Sequence, residues 1–229
     1  MHKKLLMDSI YGGMCIALGA FASAGLPKPA NGIVFSAGLV MIVLIQFQLF
    51  TGNILKVRDG FKLDTILKYW VLVYIGNFIG CFLSAQIIIY SGFSMDVLKN
   101  IAHMKAELPF FEAFMRGIFC NVLVCFAVYM ASRIKTVSSA KIFAIMIPVT
   151  LFVISGFEHC VANMFYFSAG QVNFFNLIPV TLGNIVGGLI VLHSTIDKVE
   201  KVSAVELKIS KNSVNYCDEN DMNITKNYN

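Results

Sequence analysis

From position 142 to 167 the chain is almost wholly apolar, yet in the middle of that run stand Glu158, His159 and Asn163. A run of this length crosses a bilayer, which takes about 20 residues. An ionisable side chain at membrane depth is expensive, so it turns to a cavity or a partner and not to lipid. Two roles fit Glu158 and His159: they mark an ion or substrate path, or they lock helices together through buried hydrogen bonds. The run 32–55 is the nearest counterpart, interrupted by Thr51 and Asn53 in the stretch Leu49-Phe50-Thr51-Gly52-Asn53.

With 57% hydrophobic and 14% charged residues and a mean hydropathy of +0.73, the chain is excluded from the ordinary soluble domains. Its basic start, Met1-His2-Lys3-Lys4, is followed by no small-residue cleavage site, so we expect the first apolar segment to stay in the membrane. Cys15, Cys81, Cys120, Cys125, Cys160 and Cys217 form no CxxC pair and are expected to act as small core residues, with no metal bound. The net charge of +5 comes from basic residues that flank apolar segments, which points to topology and away from a nucleic-acid partner.

Six apolar spans are read, at 9–26, 32–55, 67–90, 110–131, 142–167 and 178–196. With both termini cytoplasmic, fourteen of the 18 basic residues fall on inside segments and only Lys28, Lys99 and Lys105 lie outside. That bias fixes the orientation of a multi-pass protein. Arg116 falls at the outer end of the fourth span, one helical turn from Glu112, where it pairs or snorkels. Residues 1–197 are read as the six-helix membrane domain, and 198–229, rich in Lys, Asn, Ser and Asp, as a mobile cytoplasmic tail.

Span three contains Gly76-Asn77-Phe78-Ile79-Gly80 and span six Gly183-Asn184-Ile185-Val186-Gly187, the same pattern 107 positions later. The same shift carries Phe50 onto Phe157. The fold class expected is therefore all-α, six transmembrane helices in a 3+3 inverted repeat with helices 2 and 5 broken. Non-helical backbone at that depth is tolerated only where it lines a cavity or is buried in protein. Asn77 and Asn184 serve equally as glue for the breaks or as pore lining.

Four motifs in order carry a resemblance: Leu49 to Asn53, Arg116-Gly117-Ile118-Phe119-Cys120-Asn121, Gly156-Phe157-Glu158-His159-Cys160-Val161-Ala162-Asn163-Met164, and Pro179-Val180-Thr181-Leu182-Gly183-Asn184-Ile185-Val186-Gly187-Gly188. Over about 9–192 the chain resembles the formate/nitrite transporter family of pentameric anion channels, and within it looks closer to the clostridial hydrosulfide-channel branch. The resemblance implies an aquaporin-like protomer with its own pore, a homopentamer in the plasma membrane, and no cofactor. It implies that Thr51 and His159 meet at the pore centre, that Asn184 lies near them, and that Lys105 stands in the outer vestibule. Phe35, Leu39 and Phe152 would form the outer constriction and Phe50 part of the inner one. Glu158, Asn53, Asn121 and Asn163 would support the broken helices.

The function this implies is a channel for small monovalent weak-acid anions, with hydrosulfide first and formate or nitrite as the alternative. An anion crosses an apolar constriction at heavy cost and its neutral conjugate acid at little. His159 would hand over a proton or offer a hydrogen bond. A neutral-solute channel of the water, glycerol or ammonia type shares the broken-helix plan. A haem-bearing respiratory subunit is poorly served, because only His159 and His193 fall in spans. No nucleophile, acid pair or ligand cluster accompanies His159, so no enzyme is expected.

Overall fold

The computed structural model describes residues 2–59 and 62–195. The chain divides into residues 1–192 and 193–229, and of the second unit only 193–195, the end of the last helix, is described. Cys217 and the whole of 198–229 lie outside the described residues.

Among the described residues there is no strand. The helices are α1 (His2–Ser23), α2 (Ala30–Ile45), α3 (Phe50–Asn53) continued by a 3-10 turn (Ile54–Asp59), α4 (Leu63–Tyr90), α5 (Asp96–Ala106), α6 (Phe110–Arg133), α7 (Ser139–Ile154), α8 (Cys160–Gly170) and α9 (Leu177–Thr195). Four of them, α1, α4, α6 and α9, are long and apolar enough to cross a membrane, and α2 with Phe50–Val57, bent by 52°, makes a fifth candidate. With 16 residues, α7 falls short of a span by itself.

Two features differ from the reading of the sequence. Helix α1 starts at His2, ahead of the apolar stretch, because backbone hydrogen bonding continues past the point where hydropathy ends and Lys3 and Lys4 stay exposed. Helix α5 lies in what reads as a loop, since eleven residues of mixed polarity give no span signal; it buries Leu98 and Ala102 against the end of α8.

The helices approach closely where glycine lets them. A Cβ at Gly80 of α4 would overlap the Ile10 carbonyl of α1, and one at Gly187 of α9 would overlap the Ile118 carbonyl of α6. Without a hydrophobic drive between helices in lipid, this close backbone packing supplies much of the association. At the centre is α8, buried along all 11 residues from Cys160 to Gly170, so it meets protein on every side. Cys15, Cys81, Cys120, Cys125 and Cys160 are buried free thiols, packed as small core residues.

Candidate functional site

Two interruptions of the helical backbone build the site. The first follows α2, where Gln46 takes a left-handed conformation (φ 68) and donates its amide to Ile42 O, and residues 46–49 run non-helically into α3. The second follows α7, where Gly156 takes φ 71, a conformation open to glycine at no steric cost, and residues 155–159 lead into α8. The backbone groups freed at each break need protein partners, since lipid offers none.

One asparagine serves each break. Asn77 Oδ1 of α4 accepts from Phe50 N at 2.8 Å, while its Nδ2 donates to Gln48 O at 2.9 Å and Ser9 O at 2.6 Å. Asn184 Oδ1 of α9 accepts from Cys160 N at 2.9 Å, while its Nδ2 donates to Glu158 O at 2.9 Å and Gly117 O at 2.8 Å. These bonds pair residues 48–50 with 158–160, which corrects the match of Phe50 with Phe157. The cause is loop length: Asn77 follows Phe50 by 27 residues, and Asn184 follows Cys160 by only 24. Both amide hydrogens of Asn184 go to backbone carbonyls, so it has no donor left for an anion. Its hydrogen bonds in this structure are those of a residue that holds the break.

Leaving those backbone groups unpaired carries a cost. An unsatisfied buried polar group costs about 1–3 kcal/mol. We expect Asn184→Ala to lower stability by about 3 kcal/mol and Asn77→Ala by a similar amount, read as melting temperature of the purified protein in detergent. An unchanged melting temperature in both variants would mean that the breaks are held by other contacts.

Between the breaks, Thr51 Oγ1 lies 3.0 Å from His159 Nε2, with both residues at most 2% exposed. His159 is also the N-cap of α8, its Nδ1 accepting from Ala162 N at 3.1 Å. In a neutral imidazole the accepting nitrogen is the one without a proton. The ring proton is thereby assigned to Nε2, on the edge that faces Thr51. Asn121 Nδ2 holds the Thr51 carbonyl at 3.3 Å and the Asn184 carbonyl at 2.6 Å.

Apolar side chains close around the pair. Phe152 stacks on the imidazole at 5.8 Å and 15°, and Phe35 meets Phe152 edge-on at 5.6 Å. With Leu39, Leu49, Val124 and Val149 they enclose a space too tight for a water molecule. Phe50 stands elsewhere, its ring 4.9 Å edge-on to Tyr74 and beside Trp70 on the α4 side. Leu49, which precedes it, borders both this closed space and a further cavity toward Gln46 and Gln48. Pattern alone could not choose between neighbours at the start of a four-residue helix.

Lys105 does not stand free in a vestibule. Its Nζ sits 2.8 and 2.9 Å from the two carboxylate oxygens of Glu158, which is 3% exposed at its side chain, and 5.7 Å from the Tyr166 ring. Asn163 Nδ2 donates to Glu158 Oε2 at 2.7 Å, and Asn176 Nδ2 ties the carbonyls of Lys105, Ala106 and Leu108. Glu158 thus joins α5 to the second break. The sequence shows neither that pairing nor the cluster of Gln48, Lys56 and Tyr69 below Thr51; Lys56 reads there as one more topology lysine. Asn53 takes part in both settings, its carbonyl accepting from Trp70 Nε1 at 3.1 Å and its amide reaching Gln48 at 3.2 Å. Arg116 pairs with Glu112 as expected.

Chemically, the imidazole Nε2–H donates to the Thr51 oxygen, and His159 itself borders the dry apolar space. Among the described residues no three His, Cys, Asp or Glu side chains gather as a metal site.

The family model described as Formate/nitrite transporter matches residues 1–196. The chain belongs to this family. It is therefore a multi-pass membrane channel or transporter and not an enzyme. Formate channel FocA of Haemophilus influenzae is 39% identical over 236 residues, covering 80% of this chain and 82% of that protein. Two solved structures share the fold: a pentameric formate channel with formate bound, at TM-score 0.72 and 27% identity over 87% of this chain and 97% of that one, and an FNT family ion channel, at 0.73 and 26% over 83% and 86%.

Proposed function

We propose that this family member conducts small monovalent weak-acid anions through a pore in each protomer, with Thr51 and His159 at its centre. The observation that carries the reading is the 3.0 Å contact of Thr51 Oγ1 with His159 Nε2, whose ring borders a dry, apolar enclosure. An anion entering that space has lost its water and needs donors to replace it. The Thr51 hydroxyl proton, and the Nε2–H once the anion takes the place of Thr51 Oγ1, are the donors that meet it. His159 acts as a hydrogen-bond donor, because its other nitrogen is occupied as the cap of α8. Phe35 and Phe152 narrow the pore on one side of the pair; Leu39, expected beside them, borders the further cavity together with Leu49, and these two narrow the pore on the other side, Leu49 in the part expected of Phe50. Lys105, engaged with Glu158, acts on the anion through its field and not as a direct ligand.

Formate is the substrate favoured by the names of the relatives, a formate channel at 39% identity among them. Hydrosulfide is a second reading, since it is smaller than formate and the closed enclosure would have to open less to pass it. Flux of each anion into proteoliposomes distinguishes them. Formate flux well above that of bare lipid is expected at neutral pH, with hydrosulfide carried as well; flux of uncharged solutes with no response to either anion gradient would replace this reading by that of a neutral-solute channel.

The architecture in this reading is six membrane crossings in a 3+3 inverted repeat with α2–α3 and α7–α8 as the broken helices, supported by the matched duties of Asn77 and Asn184. The protein would assemble as a homopentamer in the plasma membrane with both termini cytoplasmic, supported by the pentameric relative and the basic-residue bias. Cysteines introduced in α5 should then react with an impermeant reagent from outside and those at the amino terminus should not; the reverse pattern would overturn the orientation.

A further inference from the structure

On the far side of Leu39 and Leu49 from the Thr51–His159 pair lies a cavity of about 290 Å3. Those two side chains border both spaces. Gln48, Asn53 and Lys56 line the cavity, and Tyr69 joins them through its bonds to Gln48 and Lys56. Gln48 Oε1 accepts from Tyr69 Oη at 2.6 Å, from Lys56 Nζ at 3.0 Å and from Asn53 Nδ2 at 3.2 Å. Lys56 also donates to Tyr69 Oη and lies 4.6 Å from the centre of that ring.

An amide oxygen has two lone pairs and no net charge. Three converging donors, one of them an ammonium, make a setting better matched to an anionic oxygen, for which charge-assisted bonds are about twice as strong. Gln48 itself stands on the non-helical residues 46–49, half-buried at the cavity wall, with its Nε2 donating to Gln46 O at 3.1 Å. No helix fixes its side chain, and the cavity offers it room to withdraw.

The geometry points to an anion-binding site formed by Lys56, Tyr69 and Asn53 at this mouth of the pore, which Gln48 Oε1 fills until a small monovalent anion displaces it. Its ligand is a carboxylate or a similarly small weak-acid anion. The site concentrates that anion beside Leu49 on the side opposite Lys105, and in that respect the inference rests on the channel reading above. Lys141, also on the cavity wall, adds positive charge at the approach.

The chain holds one tryptophan, Trp70, which follows Tyr69 and donates to the Asn53 carbonyl at 3.1 Å, so its fluorescence reports on this site. The full-length protein in detergent is titrated with sodium formate replacing sodium gluconate at constant ionic strength. A saturable change in Trp70 emission is expected. Lys56→Gln should raise the half-saturating formate concentration about tenfold or more, Tyr69→Phe about threefold or more, and Gln48→Ala should lower it. Tyr69→Phe removes one oxygen and keeps the ring, so it remains informative where Lys56→Gln fails to fold. No saturable change in the parent protein, or half-saturation unmoved in Tyr69→Phe and Lys56→Gln, overturns the site. Proteoliposome flux on the same preparation separates the two readings: formate flux without a saturable signal ends the site and leaves the channel, whereas absence of weak-acid flux ends the channel reading and this inference with it.

Discussion

In proteoliposomes, His159→Ala is expected to pass formate about tenfold to a hundredfold more slowly than the parent protein, and Thr51→Val about tenfold more slowly. The magnitude follows from what replaces water around the anion. Beside the enclosure formed by Phe35, Leu39, Leu49 and Phe152, the donors an anion would recruit in the proposed path are the Thr51 hydroxyl and the His159 Nε2–H that now points to it. A hydrogen bond to a charged group contributes about 1.5–3 kcal/mol, and each 1.4 kcal/mol is about a factor of ten. His159→Ala also removes the cap of α8, which costs about 1 kcal/mol of stability. Flux must therefore be normalised to folded, reconstituted protein. Thr51→Val leaves the cap in place and isolates the donor. Rates within twofold of the parent in both variants would remove the pair from the permeation path.

Glu158→Ala should destabilise the protein by about 3 kcal/mol, as much as the loss of either asparagine at the breaks. Removing one member of a buried ion pair leaves the other charge without its partner, at a cost of about 3–5 kcal/mol. The low end applies because Lys105 keeps 20% of its side chain exposed and recovers some solvent. The loss also frees Asn163 Nδ2, which is bound to the same carboxylate at 2.7 Å. The double variant Lys105→Gln, Glu158→Gln, which carries no orphan charge, is expected to regain part of that stability. Denaturation of the purified protein reads both. A double variant no more stable than Glu158→Ala would show that the pair matters through shape and not through charge.

The spans and their interruptions were legible because a polar residue in a long apolar run is a local contradiction that needs no partner to be seen. Thr51 and His159 stand out on those grounds, and the structure brings them together. Glu158 stands out as well, but its partner does not. Lys105 lies 53 residues away on a helix that reads as a loop, and a lone exposed-looking lysine has the same appearance whether it meets solvent or a buried carboxylate. The Gly-Asn-x-x-Gly pattern located the two asparagines correctly. It misaligned the breaks, since a constant shift carries no information about loops of unequal length. The choice of Leu49 over Phe50 at the enclosure depends on which way a short helix starts, and residue type is silent on that.

The two asparagine contacts also set an order of events during synthesis. Each break is completed by a residue that emerges later: Asn77 is made 27 residues after Phe50, and Asn184 24 residues after Cys160. Until α4 arrives, the backbone at Gln48 and Phe50 lacks its amide partner, and until α9 arrives the same holds for Glu158 and Cys160. A nascent chain halted before Asn184 would hold the imidazole of His159 beside an unfinished turn. The turn beside His159 is therefore complete only once α9, the last of the described helices, is in place.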